Sequence, residues 1–294
     1  KSTGLADYAL LTLLGWEWTV RRTGDWQFAE KHYGVFSRMV DAYLEHAAEN
    51  GLVSWGRPFI RHRKFDKGEF NTCINALLPA ALRAVARQAC RLGRDKDAAR
   101  YEARAAEILD VGREAFWDPR HGRFANGIRD GQPVDGAEVV SNAAPIIFGM
   151  ADAGQARAVG QYMRQMLSQP DAADEDRLYS PYSGFYILAA LYELGLNDLA
   201  ERIIRRDWGR MVLGGATTTW EHFTNDKSLC HAWAAAPTFY LSTRVLGVRL
   251  GWPNPVPEDE VIIAPCCKNL AWAKGVVPHQ LGPVEVSWRV RGDR

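Results

Sequence analysis

Apolar residues recur with a helical period along the first four-fifths of the chain, and the apolar blocks are of two kinds. Some are apolar nearly all round: Ala9-Leu10-Leu11-Thr12-Leu13-Leu14, Ala76-Leu77-Leu78, Ile146-Ile147-Phe148, Ile187-Leu188-Ala189-Ala190-Leu191 and Ala234-Ala235-Ala236. A helix that is hydrophobic on all sides is buried on all sides. Between them lie amphipathic blocks. One sets Arg100, Glu102, Arg104 and Glu107 beside Ala103, Ala106 and Ile108; another sets Glu201, Arg202, Arg205 and Arg206 beside Leu199, Ile203 and Ile204. Those have one wet face. The pattern predicts helices over 6–22, 26–50, 71–92, 95–116, 139–153, 155–167, 182–194, 197–211 and 229–246. Glycine follows most of them, as expected just past a helix end.

A buried helix, a short turn and a surface helix, repeated, is the pattern of two concentric helical rings. The expected fold is mainly α, an (α/α)6 toroid of helical hairpins. Five inner and four outer helices are read, where a closed ring needs six of each, so the chain is expected to lack the N-terminal helices. Pro79, Pro145 and Pro237 fall inside three inner helices. An interior proline removes a hydrogen bond and breaks the helix locally, and the sequence alone offers no reason for it.

Past Leu246 the period changes. Residues 247–257 read as a Gly/Pro linker, and 261–263 and 284–290 as strands, the second with clean alternation. Gly275, Pro278, Gly282 and Pro283 are expected to supply turns. The expected division is therefore 1–247, the helical domain, and 248–294, the start of a β-sandwich.

Composition narrows the function classes. Of 294 residues 47% are hydrophobic and 24% charged, an ordinary globular balance. A formal net charge of +1 with no block of like charges argues against nucleic acid and against polybasic membrane attachment. No apolar run reaches the roughly 20 residues of a bilayer span. Cys73, Cys90, Cys230, Cys266 and Cys267 form no disulfide or metal spacing and are expected to be reduced and mostly buried. No phosphate-cradling loop, nucleophile elbow or His-Glu-x-x-His motif occurs, and no cofactor or metal is expected. A soluble protein of cytoplasm or periplasm is expected, with compartment and oligomeric state left open.

Candidate chemistry concentrates in loops ahead of inner helices, the rim of a funnel in such a ring. Richest is 214–233. Two glycines and three threonines lead to Trp220-Glu221-His222-Phe223, and His231 and Trp233 follow at the next helix entrance. A carboxylate beside an indole and imidazoles suits sugar chemistry: base towards water, stacking face, hydroxyl partners. A helix cap or a buried ion pair is the other reading. Asp66, Lys67 and Glu69 precede the third helix and read either as polar ligands or as charges opening a helix. Trp55 and Arg57 share that long loop. Tyr182, within Ser180-Pro181-Tyr182-Ser183-Gly184-Phe185-Tyr186, marks another entrance, where core packing accounts for Phe185 better than for Ser183 or Tyr182. Asp7 opens the first helix, where an acidic residue suits the helix dipole in any case.

Gly215-Ala216-Thr217-Thr218-Thr219-Trp220-Glu221, followed by Ser228-Leu229-Cys230-His231-Ala232-Trp233, resembles the closing catalytic motif of bacterial α-L-rhamnosidases, the inverting six-hairpin glycosidases of family 78. The stretch from Asp7 to Thr23-Gly24-Asp25 resembles that family's helix ending in a Thr-Gly-Asp turn. Residues 265–282 resemble the opening of its C-terminal β-sandwich. The resemblance implies Glu221 as the general base that activates water, His231 as a contact to the sugar in the −1 subsite, and Trp55 as a pocket-lining residue. The remaining candidates for substrate contact are Trp220, His222, Asp66, Glu69, Tyr182 and Asp7. It implies an oligosaccharide or rhamnosylated glycoside as partner, and a general acid upstream of Asp7, outside this sequence. Two alternatives accompany it: another sugar, or a uronate held by Arg57, Arg61, Arg63 and Lys67, on the same scaffold; and a sugar-binding protein without catalysis.

Overall fold

A computed structural model describes residues 5–55, 66–169, 179–224, 227–252, 255–257, 259–267 and 269–291. The chain forms two compact units, Lys1–Tyr162 and Met163–Arg294.

In the first unit, α1 (Ala6–Thr23) and α2 (Trp26–Leu44) make one hairpin, and α3 (Thr72–Arg91) and α4 (Asp95–Ala115) another. α5 (Val139–Ile147) and the start of α6 (Ala153–Leu167) follow. The Thr-Gly-Asp turn works at both ends. Gly24 takes the left-handed conformation that closes α1, φ 69°, its N–H on Val20 O, and Asp25 caps α2 by accepting from Phe28 N. Helix α3 packs against α1, α2, α4 and α5 and is buried on nearly every side. Its core leucines, Leu77, Leu78 and Leu82, have no exposed surface, each contributing about 2 kcal/mol of burial free energy. α1 departs from the all-round burial expected of it. Ala6, Leu10, Leu13, Trp16 and Val20 form one buried stripe, while Leu11 and Leu14 lie off it.

Other helix limits also differ from expectation. α2 ends at Leu44 instead of running to residue 50. Asn50 and Gly51 turn the chain, the Asn50 side chain accepting from Leu52 N, and Ala47 bridges Val53. α5 stops at Ile147 because Pro145 O receives Met150 N and Ala151 N, drawing the chain out of the helix. Short strands fill the connections. β1 (Phe70–Asn71) pairs with β4 (Gly127–Arg129), which pairs with β5 (Gln132–Pro133); β2 (Trp117–Asp118) pairs with β3 (Arg123–Phe124).

The second unit holds α7 (Pro181–Glu193), then α8 (Asn197–Ile203), which continues through a π segment, Ile204–Trp208, into α9 (Gly209–Leu213). The expected helix over 229–246 is broken. Residues 229–231 are not helical, Ala232–Ala234 form a 3-10 turn, and α10 (Ala236–Tyr240) passes into a second π segment, Leu241–Val245. Pro237 thus lies in the first turn of α10, where a missing N–H is tolerated. Pro79 and Pro145 remain interior.

At the end of the chain β6 (Trp272–Val277) and β7 (Val284–Arg289) form an antiparallel pair. β6 lies within 265–282, the stretch likened to the opening of a β-sandwich, although the apolar alternation there predicts no strand. Gly275, expected in a turn, pairs with Val286 inside it, and the 261–263 strand is reduced to one bridge, Val248 to Ile263. One face of the pair carries Val277 and Val286 onto Leu246 and Val248. Only Cys73 of the five cysteines is buried; Cys90 and Cys230 are exposed and Cys266 and Cys267 intermediate. No helix among the described residues is long and apolar enough to cross a membrane.

Candidate functional site

The described residues of the 214–233 segment are irregular but tied together by hydrogen bonds. α9 closes on glycine, with Gly214 N on Arg210 O and Ala216 N on Met211 O. Residues 218–221 are hydrogen-bonded to 228–231 alongside them. Glu221 N donates to Ser228 O (2.8 Å), and His231 N donates to Thr219 O (2.8 Å). The threonines add hydroxyl links across the pair: Thr219 Oγ1 donates to His231 O (2.8 Å), and Thr218 Oγ1 to Leu229 O. A β-branched hydroxyl residue suits this place, since it favours extended backbone and supplies a donor.

This pairing sets two ionisable side chains face to face. His231 Nδ1 lies 4.0 Å from Glu221 Oε2, with 27% and 30% of the side chains exposed. His231 Nδ1 is shielded from solvent and makes no hydrogen bond. The second Glu221 contact is weak, Ser228 N to Oε2 at 3.4 Å. Both groups are anchored through their backbones while their side-chain tips are only lightly engaged. Such a carboxylate can accept a proton from a water molecule, and such an imidazole can meet a hydroxyl.

Beside them lies an aromatic cavity of about 260 Å³, lined by Tyr182, Phe185, Tyr186, Ala232, Trp233, Ala235 and Ala236. Trp233 joins the two features, its ring 4.4 Å from His231 and 5.0 Å from Tyr182 between centroids. None of these wall residues carries an ionisable acid or base other than tyrosine.

α7 presents its share of the wall through a capping box. Ser180 Oγ accepts from Ser183 N (3.3 Å), and Ser183 Oγ accepts from Ser180 N (3.0 Å). Tyr182 lines the cavity, while Ser183 and Phe185 exchange the roles expected of them. Ser183 is structural, and Phe185 is the half-buried residue on the cavity wall. Trp220 is buried, with the end of its ring against Gly214, so the indole at the cavity is that of Trp233. His222 is half-buried next to Glu221. His231 sits ahead of a 3-10 turn and not on the first turn of a long helix.

The remaining candidates belong to the first unit. Trp55 is stacked on His46 (4.8 Å, 16°) and meets Tyr43 edge-on (4.5 Å, 79°). Tyr43 donates to Ala6 O, and burial, reinforced by the Asp7 carboxylate, pushes its phenol well above the usual range. Asp7 is fully buried in the first turn of α1. Asp66 accepts from Arg129 Nη2 (2.7 Å) and Gly68 N (2.9 Å), and the Arg129 guanidinium holds its carboxyl below the usual range. Glu69 is exposed, its backbone fixed by Glu69 N to Ile128 O at 2.7 Å. Lys67 is half-buried, while Arg57, Arg61 and Arg63 lie outside the described residues.

Two residues outside the loop, Trp208 and Tyr179, pack on its Phe223 and are not among the candidates read from the sequence. An indole in the otherwise wet helix 197–211 was the available signal.

Residues 9–245 match the bacterial alpha-L-rhamnosidase 6 hairpin glycosidase domain. An alpha-L-rhamnosidase of Alteromonas sp. (strain LOR) is 24% identical over 99% of this chain and 32% of its own length. The GH78 family rhamnosidase of Bacillus sp. GL1 superposes with a TM-score of 0.83 at 26% identity, over 98% of this chain and 31% of that one. A rhamnosidase from Klebsiella oxytoca, solved with rhamnose bound, superposes with a TM-score of 0.66 at 23% identity, over 82% of this chain and 47% of that one. At that identity the likeness is one of fold. The chain spans about a third of the length of the Alteromonas and Bacillus relatives.

Proposed function

The chain belongs to the bacterial α-L-rhamnosidase six-hairpin glycosidase family, and from that premise we propose that it serves a glycoside hydrolase removing terminal α-L-rhamnosyl residues by inversion. Glu221 is the general base: it takes a proton from water as the oxygen attacks the anomeric carbon. Inversion needs a second carboxyl group as acid, about 6.5–9.5 Å from the base, with the water held between base and sugar. His231 contacts the sugar hydroxyls, and Trp233 and Tyr182 offer ring faces to the pyranose. Trp55 is carried as a substrate-site candidate by the resemblance, and His222, Trp220, Asp66, Glu69 and Asp7 by their places in the loops ahead of the helices.

The observation that carries the reading is the Glu221–His231 pair, 4.0 Å apart and backed by paired backbone. The wall chemistry favours rhamnose over a uronate. A 6-deoxy sugar presents a methyl group that an aromatic and alanine surface accepts without an unpaired charge, and among the described residues the cavity wall is aromatic and alanine. The β6–β7 pair is proposed to begin a β-sandwich at the end of the helical domain.

Glu221→Gln keeps the size and the backbone bonds and removes the base. Turnover of a nitrophenyl α-L-rhamnoside by the intact protein is expected to fall by roughly 10²–10⁴-fold with an unchanged melting temperature. Turnover surviving that substitution removes Glu221 from the mechanism. A chromogenic screen that favours a uronide over the rhamnoside removes the sugar assignment.

A further inference from the structure

Glu221 and His231 sit on opposite branches of one loop, so their relative placement depends on whatever ties the branches together. The threonine links do so at the paired backbone. A second tie lies further in, at Trp208. Its Nε1–H donates to Ala234 O at 2.6 Å, on the branch that follows His231. The same ring meets Phe223 edge-on, centroids 5.0 Å apart at 88°, on the branch that carries Glu221. One buried indole therefore touches both branches, by a hydrogen bond to one and a ring contact to the other.

Its own position is heavily determined. Trp208 ends the π segment Ile204–Trp208, a backbone form that recurs inside α-helices at functional sites. The preceding residue, Asp207, is gripped by Arg206 through Nε and Nη2, each at 2.9 Å, and by the Tyr179 hydroxyl. Tyr179 in turn packs edge-on against Phe223 at 5.6 Å. From the other side Gly184 on α7 leaves room for the ring: a Cβ there would lie 2.7 Å from Trp208 Cη2.

We propose that Trp208 is a positioning residue for the proposed hydrolysis, holding the Glu221 branch in register with the His231 branch; this rests on the assignment of Glu221 as base. Trp208→Phe keeps a ring against Phe223 and removes the donor to Ala234. In the intact protein kcat on a nitrophenyl α-L-rhamnoside should fall roughly ten- to hundredfold, the scale of a small misplacement. The dissociation constant of L-rhamnose should stay within about threefold, because each branch keeps its own side chains. A double-mutant cycle separates positioning from mere folding. In a His231→Ala background, Trp208→Phe should cost less than about threefold more in kcat, since the partner being positioned is already gone.

Gly184→Ala is the second variant. It presses on the indole without touching the loop and should lower kcat in the same sense, although alanine favours a helix over glycine. Full kcat per folded molecule in either variant, with only a lower melting temperature, overturns the role. So do effects of Trp208→Phe and His231→Ala that multiply independently. If Trp208→Phe does not fold, Gly184→Ala and its own cycle with His231→Ala decide. Turnover retained by Glu221→Gln sinks the base assignment and this role with it. Loss in Glu221→Gln beside a fully active Trp208→Phe sinks the role of Trp208 alone.

Discussion

The entrances to α3 and α5 in the first unit and the 214–233 loop in the second are built from similar polar residues put to opposite use. In the first, the side chains serve the backbone. Asn75 accepts from Val53 N (2.8 Å) and donates to Val53 O and Asn71 O (3.0 Å each). Asn142 repeats the device, accepting from Phe124 N (2.8 Å) and donating to Phe124 O (3.1 Å) and Glu138 O (3.2 Å). Each amide lies one turn inside its helix and clasps a passing segment as a neighbouring strand would. In the second, the backbone serves the side chains: its N–H and C=O groups pair across 219–231 and leave Glu221 and His231 lightly engaged. A polar residue whose bonding capacity is committed stabilises the fold and has none left for a substrate. Chemistry is to be sought where the main chain is satisfied by itself.

That contrast can be broken by substitution. Asn75→Ala and Asn142→Ala should each cost about 2–4 kcal/mol, because each leaves buried backbone groups without partners. Denaturant titration measures this, and losses under about 1 kcal/mol would show the clasps to be incidental. His231→Ala should behave in the opposite way. It keeps both backbone links to Thr219, so stability should barely change, while L-rhamnose affinity by calorimetry should fall about tenfold, near 1.4 kcal/mol. A large stability loss with unchanged affinity would put His231 in the structural class.

The smallest effect is expected at Asp66. Its folded pKa lies below the unfolded value through Arg129. The contribution of the pair is therefore present above about pH 4, the unfolded carboxyl range, and fades as pH falls through the lower folded value. Both partners are more than half exposed, 51% and 55%, so Asp66→Asn should leave stability at neutral pH unchanged within error. An NMR titration placing Asp66 at or above the ordinary value would contradict the pairing.

Much of the fold was legible in the sequence because its local signals agree. Gly24 and Asp25 mark a stop and a start, and α3, α4 and α7 fall within two residues of their expected limits. What was hidden depends on tertiary partners. The apolar run at 234–236 suggests helix, but its neighbours 229–231 are claimed by the strand-like pairing with 219–221, and Pro237 starts a new helix instead of interrupting an old one. Gly275 reads as a turn until β7 supplies a partner for it. The same holds at the site. Glu221 and His231 stand out as residue types in an unusual loop, whereas Phe185 and Trp208 look like ordinary core, and only the packing distinguishes a cavity wall from a brace.

The central claim is that Glu221 activates water on the face of the sugar opposite the leaving group. The most direct test is proton NMR of the first sugar released from an α-L-rhamnoside by the intact protein, read before mutarotation. The account predicts β-L-rhamnose as the initial product. Initial release of the α anomer would mean retention, and a nucleophile in place of the base assigned to Glu221.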